Sequence, residues 1–132
     1  ARSLKLLLEN WREYIKEENL YHGTSDVYKQ NIAKNGLKPP SFWGTEEVAR
    51  YYAEEIVAEE GGSPLIIEAP LSKFDQTLLS PDDNSIAEPL TYTLGKTEDE
   101  VEDEWGESDG SWRDSLEIVG SVKYHGTLED II

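Results

Sequence analysis

The stretch from residue 19 to residue 62 alternates short apolar segments with helical patterns, and glycines separate them. Residues 19–23 predict a short strand closing on a glycine, and Thr24, Ser25 or Asp26 offers an oxygen to cap a following helix. That helix is expected to end at 35–36, where glycine favours a C-cap. A second apolar piece at 42–44 and a helix capped by Thr45 follow. This order predicts a mixed α+β domain with few, mostly non-local strand pairings.

The second half of the chain gives a less regular pattern. The apolar run at 65–71 predicts a central strand, and 78–84 resembles a chain reversal. The acidic stretch that follows has no hydrophobic periodicity, so a mobile loop is expected at about 95–110. Residues 112–118 favour a short helix capped by Ser111, and 120–126 a closing strand.

An amphipathic helix is predicted at residues 1–18, ahead of a single domain at 19–132. Its apolar residues recur at three- and four-residue spacing: Leu4, Leu7, Leu8, Trp11, Tyr14 and Ile15. Such a helix could pack on the domain, dock on a partner or lie on a membrane surface. Packing is favoured, because its polar face balances acidic against basic residues, whereas membrane-surface helices carry a basic face.

Composition excludes several classes of site. The chain has no cysteine and two histidines, which rules out disulfides and thiolate ligands and argues against any zinc site. No apolar run approaches the roughly 20 residues that span a bilayer, so we expect a cytoplasmic protein without a membrane partner.

Charge is distributed unevenly along the chain. The net charge of −16 argues against a general nucleic-acid-binding surface, and eight acidic residues fall within 98–109. In contrast, 21–40 holds Lys29, Lys34 and Lys38 against Asp26 alone, which would suit an anionic small ligand.

Three motifs occur in a specific order: His22-Gly23-Thr24-Ser25, then Gly36-Leu37, then Ala49-Arg50-Tyr51-Tyr52-Ala53. Their spacing resembles the His-Tyr branch of the ADP-ribosyltransferase superfamily, which includes diphtheria toxin and the poly-ADP-ribose polymerases. The resemblance covers about 20–71 and, more faintly, 119–132. It implies a split antiparallel or mixed sheet with flanking helices, and NAD as co-substrate.

The resemblance also implies roles for individual residues. His22 would hydrogen-bond the nicotinamide ribose, and Tyr52 would stack on the nicotinamide ring. The backbone of Gly23 lies where a carboxamide could approach closely, because glycine has no Cβ. Thr24 or Ser25 could support the ribose or cap the helix. Tyr51 stands beside Tyr52, and only the spacing from Ala49 selects between the two tyrosines.

A catalytic carboxylate is the third element that the family would supply. The family residue, often Glu, opens a late strand, where this chain has Gly120-Ser121. We expect Glu117 to replace it, with Glu88 as the weaker alternative and a solvated helix residue as the competing interpretation of Glu117. Tyr-His-Gly-Thr recurs at 124–127, where we interpret it as a strand end meeting a turn.

Three functions follow as alternatives. The first is a mono-ADP-ribosyltransferase that modifies a host macromolecule, with His22, Tyr52 and Glu117 as the catalytic set. The second is a non-catalytic relative that binds a nucleotide or keeps only the fold. The third is an acidic interaction protein that engages a basic partner through 98–109. The opening segment through residue 14 resembles leader helices of phage-encoded proteins, which implies an effector acting in a host cytoplasm.

Overall fold

A five-stranded antiparallel sheet organises the computed structural model, which describes residues 18–132. The strand order is β3-β1-β2-β5-β4. The strands are β1 (Asn19–Ser25), β2 (Ser41–Gly44), β3 (Pro64–Pro70), β4 (Leu79–Pro81) and β5 (Ser121–Tyr124). β1 and β3 pair along their whole lengths, whereas β1 meets β2 at one register pair, Tyr21 opposite Gly44. The sheet is therefore joined least firmly between β1 and β2.

Six helices accompany the sheet in the described chain. They are α1 (Lys29–Asn35), α2 (Glu46–Glu60), α3 (Asp83–Ala87), α4 (Thr91–Leu94), α5 (Glu98–Glu107) and α6 (Trp112–Val119). The predicted α+β class is confirmed. The amphipathic helix predicted at 1–18 lies outside the described residues, except for its last one. Between residues 18 and 132, no helix combines the length and the apolar character needed to cross a bilayer.

Helix α2 forms as the sequence predicts. The Thr45 hydroxyl accepts a hydrogen bond from the Val48 amide, and Gly61 ends the helix at a φ of 85°. Ala49 and Ala53 are buried against the sheet, and most of the contacts of α2 are with β1. A Cβ on Gly23 would lie 1.7 Å from the Ala49 carbonyl oxygen, so this glycine permits the close approach of α2 to β1.

The prediction of a central strand at 65–71 is wrong in position. β3 is an edge strand, and it pairs only with β1 in the described chain. Ile67 and Ala69 face the core while Glu68 is exposed, so one face of the run is solvated. The flanking prolines, Pro64 and Pro70, suit an edge because proline cannot donate a ladder hydrogen bond.

The helix predicted to follow β1 begins later than expected. Asp26–Tyr28 form a 3-10 turn capped by Ser25, and only then does α1 begin. Val27 and Tyr28 are exposed and do not form its apolar face, which is reduced to the buried Ile32. The reversal predicted at 78–84 instead contains the edge strand β4, which pairs with β5.

The mobile acidic loop predicted at about 95–110 is also wrong, because this segment holds α5. Thr97 and Glu100 form a capping box, with acidic residues in the first turn where the helix dipole favours them. Val101 is fully buried against Ile118 and Val119, in a small cluster apart from the main core. Trp105, one turn after Val101, packs on the same cluster, so α5 combines a capped N-terminus with a narrow apolar face.

Buried side chains of the sheet and of the segments that pack on it form the main core. Trp43 is fully buried, and its ring meets Phe74 edge to face at 5.0 Å. Phe74 meets Tyr124 in the same way, also at 5.0 Å, which links β2 and β5 to the turn after β3. Helix α6 forms as predicted, with Ser111 and Asp114 in a second capping box.

Candidate functional site

A cavity of about 310 Å³ lies between the weakly joined strands β1 and β2 and helix α2. Its walls come from five elements and are mostly apolar. The lining residues are Tyr21, His22, Gly23, Phe42, Trp43, Gly44, Val48, Ala49, Tyr52, Ile56, Asp82, Asn84, Ser85 and Ser121. A volume near 300 Å³ is at the small end of ligand sites and suits one ring with its sugar better than a whole dinucleotide.

His22 lines this cavity, and one of its ring nitrogens is bonded to the backbone of β2. Its Nδ1 lies 2.6 Å from the Phe42 carbonyl oxygen, which can only accept, so Nδ1 carries the proton. Burial lowers the pKa of the imidazole from its ordinary value of 6.5, and the bond to Phe42 opposes this shift only in part. The neutral ring therefore keeps Nε2 free of a proton, as an acceptor for a hydroxyl group. The ring is also held against Trp43, with centroids 5.3 Å apart.

Tyr52 reaches the cavity from α2, and its neighbour Tyr51 does not. Tyr51 faces an adjoining groove of about 400 Å³, and its ring stands edge-on to Tyr52 at 5.5 Å. Burial and the nearby Glu55 raise the pKa of the Tyr51 phenol. The spacing from Ala49 thus selects the tyrosine that lines the cavity.

The remaining residues of the strand motif divide between the cavity and the fold. Gly23 lines the cavity, but the approach of α2 already requires glycine at this position. Thr24 and Ser25 are buried and do not contribute to the cavity lining. Ser25 donates to the Gly61 carbonyl and accepts from the Val27 amide, so it takes the capping role, one of the two roles considered for it.

Neither carboxylate favoured by the sequence lines the cavity. Glu117 is exposed on α6 and borders a separate depression with Glu46 and Glu47. Glu88 lies in the groove beside Tyr51. The structure therefore brings His22 and Tyr52 together without Glu117.

The cavity wall contains another carboxylate, Asp82, which sequence reasoning missed. Asp82 is 1% exposed and directly follows β4. Its Oδ2 accepts hydrogen bonds from Ser85 and Ser121, each at 2.7 Å, and its Oδ1 accepts from the Ser85 amide at 3.2 Å. The only sequence signal was an aspartate three residues before a serine, which indicates a helix cap and not a buried group.

Tyr52 is connected to this carboxylate through Ser85. The Tyr52 hydroxyl lies 3.3 Å from Ser85 Oγ, whose proton is already donated to Asp82. Tyr52 must therefore donate to Ser85, which leaves its phenolic oxygen able to accept from a ligand.

The basic stretch expected beside the motif does not reach the cavity. Lys29, Lys34 and Lys38 are exposed, and no lysine or arginine of the described chain lines the walls. The second Tyr-His-Gly-Thr is also remote. Its His125 follows the end of β5 and bonds Ser80, which matches the predicted strand end.

No protein-family model matches the chain, and no match was found among curated proteins or solved structures.

Proposed function

We propose that the cavity binds the nicotinamide and ribose of NAD, and that the protein transfers ADP-ribose from NAD to a macromolecule. The observation that carries this proposal is the meeting of His22, Gly23 and Tyr52 in one cavity. The spacing of the sequence motifs independently predicts a nicotinamide site from the same three residues. The α+β architecture and the weak junction between β1 and β2 are compatible with the split sheet of an ADP-ribosyltransferase fold.

The chemistry of the walls suits this ligand. Nicotinamide is a flat ring, and Tyr52 together with apolar residues of α2 and β2 offers surfaces for it. The ribose hydroxyls need acceptors, and the unprotonated Nε2 of His22 supplies one. Because the cavity has a volume of only about 310 Å³, the adenylate half of NAD would bind outside it.

The proposed reaction breaks the bond between C1′ of the ribose and the nicotinamide nitrogen. The bonding electron pair stays on that nitrogen, which neutralises the ring, and the positive charge moves to the ribose. A lone pair of the acceptor then forms the new bond to C1′, and the acceptor loses its proton to solvent. Walls that fix the ring and the ribose while excluding water favour this loose transition state.

The test is incubation with NAD labelled in its adenylate phosphate, with and without a cell lysate. We expect nicotinamide release and label transfer to a macromolecule, and both should fall at least about tenfold in Tyr52→Ala. Tyr92→Ala is the matched control, because Tyr92 is fully exposed on α4. If the wild-type protein neither binds NAD in calorimetry nor releases nicotinamide, the proposal fails.

A nucleotide-binding protein without turnover is the second candidate. The position of Glu117, outside the cavity, favours it, because the carboxylate expected for catalysis is absent from the ring site. Saturable NAD binding with no nicotinamide released over many hours would support this candidate against the transferase.

A further inference from the structure

The cavity wall contains a buried carboxylate that forms no ion pair with any cationic side chain of residues 18–132. Asp82 is 1% exposed, and its carboxylate accepts hydrogen bonds from neutral donors, the Ser85 amide and the hydroxyls of Ser85 and Ser121. The ion pairs of residues 18–132 are Arg50 with Glu46, Lys96 with Glu104 and Arg113 with Glu18, so none involves Asp82. A carboxylate in such a place makes the local potential more negative, because mostly apolar walls screen its field poorly.

Helix capping does not account for this arrangement by itself. Asp82 caps α3 by accepting from the Ser85 amide, and an exposed side chain would serve that purpose. Here the carboxylate is also bonded by Ser121 from β5, and its own amide donates to Ser115 at 3.0 Å. Two serines thus donate to the carboxylate and a third accepts from the Asp82 amide, which fixes the residue in the wall of a mostly apolar cavity, where burial of a charge is costly.

We propose that Asp82 makes this cavity selective for a cationic ring, so that it binds the positively charged pyridinium of NAD in preference to the neutral dihydropyridine of NADH. The inference rests on the proposed function, because it assumes that a nicotinamide ring occupies the cavity. It adds a specificity-determining residue that the motif pattern does not contain. Ser85 connects Asp82 to Tyr52, so the same carboxylate also holds the ring-binding tyrosine in place.

The experiment compares two ligands that differ in ring charge and are not consumed. Carba-NAD keeps the pyridinium, but a methylene replaces the ribose ring oxygen and stabilises the glycosidic bond. NADH has the neutral ring. We expect the wild-type protein to bind carba-NAD on the order of tenfold more tightly in calorimetry, from attraction across a poorly screened wall.

Asp82→Asn keeps the shape and removes the charge, so it should bring the two affinities to within about twofold. Its melting temperature should fall, because the amide keeps only one acceptor oxygen and its NH2 group faces a hydrogen-bond donor. A purely structural role for Asp82 predicts the same loss of stability with an unchanged preference, so the preference decides between the two roles. Glu117→Gln is the control, since Glu117 is exposed outside the cavity, and it should keep the preference.

The outcomes separate the two proposals. If neither ligand binds, the proposed function fails. If the wild-type protein binds both ligands with equal affinity, the proposed function stands and the role of Asp82 is overturned. If Asp82→Asn does not fold, Asp82→Ser carries the test, because it also removes the charge and leaves a hydroxyl that can cap α3. It should bring the two affinities to within about twofold, and a retained preference for carba-NAD would overturn the inference.

Discussion

Gly23 joins the fold to the candidate site, because it lies both in the cavity wall and under helix α2. A methyl group at this position would meet the Ala49 carbonyl oxygen at 1.7 Å, and this backbone atom can move only with the helix. We therefore expect Gly23→Ala to lower the free energy of unfolding by about 3 kcal/mol, near the upper end for overpacked sites. Urea unfolding measures this change.

A second glycine provides the matched control for that substitution. Gly106 lies inside α5, and an added Cβ would meet no atom within 4 Å. Gly106→Ala should raise the free energy of unfolding by up to about 1 kcal/mol, because alanine is the better helix former. Equal effects at the two positions would contradict the close packing of α2 on β1.

His22 makes stability depend on pH in a predictable direction. Because its pKa is lowered in the folded state, the unfolded chain binds a proton near pH 6.5 before the folded chain does. The free energy of unfolding should thus decrease as the pH falls below about 6.5, with a slope of at most about 1.4 kcal/mol per pH unit from this one group. His22→Gln should lose this component.

The free energy of unfolding of both proteins is measured by chemical unfolding between about pH 5 and pH 8. The difference between the two proteins is then compared at each pH, because the contributions of the many carboxylates cancel in it. His125→Gln serves as the control, because the second histidine is exposed. A difference between wild type and His22→Gln that is flat over this range would contradict a buried, neutral His22.

At the level of single elements, local signals predicted α2 and α6 well. Thr45 and Gly61 mark both ends of α2, and Ser111 begins α6, because caps depend on residues only a few positions apart. The same locality explains why Tyr52 could be chosen over Tyr51 from spacing on one helix.

Features that depend on distant parts of the chain could not be predicted in the same way. The apolar run of β3 was expected at the centre of the sheet, but strand order is a property of the whole topology. Asp82 depends on Ser121, 39 residues later, and no local pattern links them. The sequence does not predict helix α5, because its apolar face consists of Val101 and Trp105 alone, and one pair at four-residue spacing is too short to establish a periodicity.

Helix α5 supplies a prediction at this scale. Val101→Ala should lower the free energy of unfolding by about 2 kcal/mol, from two buried carbon atoms and the cavity they leave. Glu102→Ala, on the exposed face of the same helix, should change it by less than about 0.5 kcal/mol. Equal, small effects in thermal and urea unfolding would instead indicate that the acidic helix is not packed on α6.

For the whole molecule, net charge should limit stability. The chain carries −16, and its described ion pairs are largely exposed, so repulsion among acidic residues outweighs the attraction they provide. We expect the melting temperature to rise between about 20 mM and 0.5 M sodium chloride, because salt shortens the range of this repulsion. Differential scanning calorimetry at fixed pH measures it. A melting temperature that falls with salt would show that the surface ion pairs dominate.

The order in which the strands are synthesised differs from the order in which they pair. β4 is made some forty residues before β5, yet β5 is the strand with which it pairs, and β5 also lies beside β2. Until β5 has left the ribosome, the nascent chain can pair β1 with β3 under α2, but β2 has only one register pair with β1, and Asp82 has no Ser121 to hold it. During translation the ring-binding half of the cavity can therefore be assembled first, and the wall with the negative charge closes it last.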